Sequence, residues 1–97
     1  MAGTTKLTPE QVRSVAKAHT QLADQITADQ KTVSQQVQNA QSANLGAMVN
    51  KLVSVHSDWD SKMTDVVGQL TTMAGVLNST ANDLENQDTQ NASGVHV

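Results

Sequence analysis

Few side chains in this sequence carry the means for chemistry. His56 and Asp60 stand four apart, so on a helix they would share a face and could contribute to one metal site. Two ligands fall short of the three or four that a zinc or iron centre needs, and a surface pair is the expected reading. His19 falls among apolar residues, where it reads as a packed or interface side chain. Cysteine is absent, which excludes disulfides and thiolate metal sites. Serine and threonine are plentiful, yet no Gly-x-Ser-x-Gly elbow and no glycine-rich phosphate loop accompanies them. The acids, among them Asp24, Asp58, Asp65 and Asp83, are spread along the chain and read as solvation. Asn78-Ser79-Thr80 and Asn91-Ala92-Ser93 match the glycosylation acceptor pattern. The first lies within a helical pattern and no leader accompanies either, so both read as chance. The expectation is a protein that is not an enzyme, with no catalytic residue, cofactor or metal.

Charge narrows the partners. Six Lys+Arg stand against nine Asp+Glu, a formal net charge of -3. A phosphate-tracking surface needs clustered positive charge, so nucleic acid is not expected, and nothing draws the chain to an anionic membrane. No apolar run approaches the ~20 residues of a membrane span. Met1 to Leu7 contains no apolar run, so export, if it occurs, is expected by a route that reads no N-terminal signal.

With little chemistry to position, the apolar pattern decides the architecture. Met48, Leu52, Val55, Trp59, Met63, Val66, Leu70, Met73, Leu77, Ala81 and Leu84 recur at steps of three and four. That is one stripe of a long helix, expected over about 47–86. A shorter stripe precedes it: Val12, Val15, His19, Leu22, Ile26, Val33 and Val37, with Ala16 and Ala23 at its margin. Thr8-Pro9-Glu10-Gln11 has the form of a helix start with a capping box, with a staple from Leu7 to Val12. The first helix is therefore expected over about 8–40. Asp29 and Gln30 fill a polar gap in its stripe, a feature that fixes register.

Between the stripes, residues 41–46 hold Ser42, Asn44 and Gly46, which favour caps and turns. So short a link makes the helices antiparallel neighbours. With the turn near Asn44, Trp59 is expected beside Ala28 and Asp29, with Asp29 accepting the indole N–H, and Gly68 is expected to leave room for His19. Residues 1–7 and the small, polar 87–97 are expected to be flexible ends. The fold expected is all-α: an antiparallel two-helix hairpin.

Val49, Val53, Val67, Ala74 and Val76 lie beside the main stripe. They make the second helix apolar over a wider arc than one neighbour covers. Association follows, most simply as two hairpins in a four-helix bundle. Val15, Leu22, Ile26, Val33, Met48, Leu52, Val55, Trp59, Met63, Val66, Leu70, Met73 and Leu77 are the residues expected to pack within the hairpin or the dimer.

The length near one hundred, the paired helices, Leu7-Thr8-Pro9-Glu10-Gln11-Val12 and Trp59-Asp60-Ser61-Lys62-Met63 resemble the WXG100 family. These are the small ESAT-like substrates of type VII secretion. The resemblance implies a homodimer or heterodimer with another WXG100-like protein, export by a membrane ATPase complex, and a secreted or cell-surface location. The family's Trp-x-Gly turn corresponds to Asn44-Leu45-Gly46, where the glycine is kept and the tryptophan replaced. Its C-terminal export signal, Tyr-x-x-x-Asp or Glu, corresponds to the Leu84–Asp88 spacing, with leucine in the aromatic place. Two other readings share the outline: a helical-hairpin subunit of a secretion filament, and a cytosolic coiled-coil adaptor or chaperone.

Overall fold

In a computed structural model the chain folds as two helices, α1 over Pro9–Ser42 and α2 over Ala47–Val95. The structure describes residues 7–43 and 46–95, with side chains through residue 87. Thr8 caps α1: its hydroxyl accepts the Gln11 N–H at 3.1 Å, and its own N–H donates to the Gln11 side chain at 2.9 Å. Pro9 occupies the first position, where its missing N–H has no partner to lose. The staple does not form, because Leu7 stays 68% exposed while Val12 turns inward. At the far end Ala43 N–H bonds to the Asn39 carbonyl. The Ser42 hydroxyl donates back to the Gln38 carbonyl and so belongs to α1. Gly46 then takes φ +71°, a conformation side chains resist, and its carbonyl receives the Val49 N–H. That accounts for the glycine of the expected turn motif; Asn44 and Leu45 lie outside the described residues.

The second helix runs to Val95 rather than ending near Asn86. From Gln87 to Ser93 no proline or glycine breaks the backbone ladder. A small, polar composition marks a segment that stays wet, and it does not by itself end a helix.

The molecule is a rod of 77 × 26 × 15 Å, with a radius of gyration of 21.8 Å. A compact domain of this length would have about 13 Å. The helices meet along one seam with coiled-coil spacing. On α1 the seam runs through Val12, Ala16, His19, Ala23, Ile26, Gln30, Val33 and Val37. On α2 it runs through Val49, Val53, His56, Asp60, Met63, Val67, Leu70, Ala74, Leu77, Ala81 and Leu84. Every one of these positions is buried or part-buried. The most deeply buried side chains are alanines: Ala16 is 1% exposed and Ala81 0%.

This corrects the stripe. Met63, Leu70, Leu77, Ala81 and Leu84 of the expected stripe do lie in the seam, but Met48, Leu52, Val55, Trp59, Val66 and Met73 lie beside it on one flank, and Val49, Val53, Val67 and Ala74 take their place. Val15, Leu22, Met48, Leu52, Val55 and Met73 are exposed, whereas Val49, Val53, Val67 and Ala74 face α1. Alanine permits close approach of two helices, so the hairpin closes on its small residues.

His56 occupies a seam position with its Nε2 buried and without a hydrogen-bond partner among the described residues. Its ring lies 6.0 Å from that of Trp59. A buried polar atom left unpaired costs about 1–3 kcal/mol. His56→Leu is therefore expected to stabilise the hairpin by about 1 kcal/mol, raising the thermal midpoint by roughly 4–8 °C. Circular-dichroism melts at fixed concentration check this, and an unchanged or lower midpoint contradicts it.

Candidate functional site

Seam contacts set the register and divide the rod into two flanks. Arg13 donates through Nη1 and Nη2 to the Glu85 carboxylate at 2.8 and 2.9 Å, and through Nη2 to Asn82 Oδ1 at 2.9 Å. The Gln30 amide donates to the Asp60 carbonyl and carboxylate at 3.1 Å and to the Thr64 hydroxyl at 3.0 Å. These pairings displace the expected register by about two turns. Asp29 accepts instead from Gln25 Nε2 at 3.0 Å. Trp59 sits with Val33, Val37, Leu52, Val55 and His56 around a cleft of 220 Å³. Gly68 makes no room for His19, since a Cβ built on it meets nothing within 4 Å. The His19 ring turns back, its Nδ1 2.8 Å from the Val15 carbonyl.

One flank is polar. Besides the Arg13 clamp it carries Thr20, Thr27, Thr64 and Thr71, whose hydroxyls donate to carbonyls one turn back in their own helix. With their bonds spent internally, they offer a partner little. The Arg13 guanidinium, by hydrogen bond first and charge second, holds the Glu85 carboxyl below its ordinary value. A depressed folded-state value stabilises above the unfolded value, about 4.3 for Glu, and that stability is lost as pH falls through the lower one. Acidifying from pH 6 to 3 should thus loosen the open end of the hairpin. The expected observation is a fall in amide protection factors near Val12 and Ala81, measured against the slower intrinsic exchange at low pH, and Glu85→Gln should diminish that fall.

The opposite flank is apolar. Val15 and Leu22 stand seven apart on α1, and Leu52, Trp59, Val66 and Met73 stand seven apart on α2. In an antiparallel pair, positions so related to the seam lie on one side. Met48, Val55 and Val76 widen the α2 row, and exposure reaches 75% at Met48. An open trough of 790 Å³ over Gly68, lined by Asp65, Gln69 and Thr72 as well as Met73 and Val76, lies on the outer face of α2 next to this row. So many large apolar side chains in one row mark an interaction surface.

The thirteen residues singled out for packing therefore divide. Ile26, Val33, Met63, Leu70 and Leu77 line the seam, and Val15, Leu22, Met48, Leu52, Val55, Trp59, Val66 and Met73 form the apolar flank. Sequence reasoning undervalued Ala16, Ala23, Ala74 and Ala81; their sevenfold spacing was the available signal. Leu84 is part-buried in the seam, and the Asp88 side chain lies outside the described residues. His56 and Asp60 are not poised to share an ion. One has its Nε2 buried, and the other is engaged by Gln30. Among the described residues no three His, Asp or Glu side chains form a group that could hold a metal, and no helix is long and apolar enough to cross a membrane.

The chain is thus a small, capped, antiparallel two-helix hairpin with one polar and one apolar flank. The family profile described as "WXG100: Proteins of 100 residues with WXG" matches residues 4–89, and the chain belongs to that family, the small substrates of type VII secretion. A solved structure of EsxA from Geobacillus thermodenitrificans superposes with a TM-score of 0.84 at 25% sequence identity, covering 95% of this chain and 99% of that one. No curated protein sequence matches this chain.

Proposed function

We propose that this protein is exported by the type VII pathway as one member of a paired helical assembly, and that its apolar flank is where the second hairpin docks. The observation that carries this reading is the asymmetry of the rod. One side satisfies its polar groups internally, while the other leaves Leu22, Leu52, Val55, Met73 and Val76 in water. About half of each side chain is still exposed, so covering one is worth roughly 1 kcal/mol, and the whole row is needed to offset the cost of bringing two hairpins together. The protein works by binding rather than catalysis, and reaches the outside of the cell through the membrane ATPase complex.

Export tests this. In a host with an intact type VII system the chain should appear in the culture supernatant, and deleting the membrane ATPase should confine it to the cell. Retention in both strains would favour a cytosolic adaptor. Growth into filaments on concentration would favour a structural subunit.

A further inference from the structure

We infer that the apolar flank is shaped for a different hairpin, one carrying a basic side chain level with Asp29, rather than for a second copy of this chain. This rests on the docking role proposed for the flank.

Asp29 continues the row begun by Val15 and Leu22, seven residues on. It is exposed, and the hydrogen bond it accepts comes from the neutral amide of Gln25. Its neighbour Gln30 bonds to Thr64, which stands on the polar flank but level with the middle of the apolar row of α2, between Trp59 and Val66. Asp29 is thus the negative charge at the centre of the surface to be covered, while Lys62, seven residues after Val55, stands at the outer edge of the α2 row. A carboxylate brought under a partner needs a cation or several donors to offset its lost hydration.

A second copy cannot meet both demands at once. With the two turns at opposite ends, Leu52, Val55 and Trp59 of one copy lie over Met73 and Val76 of the other, which suits them. The same arrangement centres the overlap near Thr64 and sets the two Asp29 carboxylates side by side. With the turns together, Lys62 of one copy can reach Asp29 of the other, but Trp59 then covers Gln36 and Thr32, which are exposed and polar. Charge and apolar cover are in conflict in either self-pairing. A hairpin that is apolar on both helices, with Lys or Arg at its midpoint, satisfies both. Asp29 is then the residue that selects the partner, acting against self-association as well as for the complex.

The test uses the full-length chain, with its Asp29→Lys copy as the surrogate basic partner. Sedimentation equilibrium should show weak self-association of the wild type, and self-association of Asp29→Asn at least tenfold tighter. A 1:1 mixture of wild type and Asp29→Lys should pair tighter than either alone. If wild type self-associates as tightly as Asp29→Asn, or if Asp29→Asn weakens self-association, the inference is overturned, and in the second case Lys62 of a second copy supplies the cation. Adding Met73→Asp to Asp29→Asn separates the layers. Lost association leaves the flank reading intact whatever Asp29 does, and unchanged association removes the flank reading itself.

Discussion

Enlarging Ala81 to leucine should lower the thermal midpoint of the hairpin by roughly 10 °C. Ala81 is 0% exposed at a seam position, and the seam has no room for three added carbons. Overpacking of this kind costs about 1–3 kcal/mol, and each kcal/mol moves the midpoint of a domain this size by about 4–8 °C. Ala74→Leu, one heptad earlier, should behave alike. The control is Val55→Leu on the apolar flank, where the added carbon meets solvent and the change should stay within about 0.5 kcal/mol. Association would itself raise the midpoint with concentration, so all variants are melted at one low concentration. An Ala81→Leu protein that melts with the wild type would show that small residues do not set the spacing of the two helices.

The second large effect is on binding. Leu22→Asp or Met73→Asp should weaken pairing with the Asp29→Lys copy by at least thirtyfold, about 2 kcal/mol, the loss expected when a central interface contact is replaced by a charge. Both side chains are about half exposed in the hairpin, at 51% and 48%, so helix content and single-chain melting should hardly move. That split between binding and stability separates the flank from the seam, where Ala81→Leu should act on melting first. If pairing survives either aspartate, the docking surface lies elsewhere.

The helices themselves were legible because their signals are local. Thr8, Pro9 and Gln11 write the start of α1, and Gly46 marks the link, through side-chain chemistry within a few residues. Which of two interleaved series closes the hairpin was not local. Val55 and Val53 are the same residue type two positions apart, and the choice between them depends on how closely two backbones approach. That distance is set by Ala16, Ala23, Ala74 and Ala81 acting together. Ranking residues by bulk mixed the two: Met63, Leu70 and Leu77 close the seam, whereas Leu52, Val55 and Met73 stand on the flank beside it. The register slipped for a related reason. The pairing of Arg13 with Glu85 and Asn82 joins residues 69 and 72 apart, a relation no short window of sequence displays. The same slip moved Trp59 from the neighbourhood of Asp29 to that of Val33 and Val37.

A hairpin built on alanine is narrow. Its cross-section of 26 × 15 Å is set by two helices in close contact and does not grow as they lengthen. Moving end-on through an opening, such a body needs clearance for that outline alone, however far it extends behind. Adding a second hairpin on the greasy side thickens only the 15 Å direction. Passage in the folded state is then a question of aperture, and the long axis adds time in transit without widening the gate.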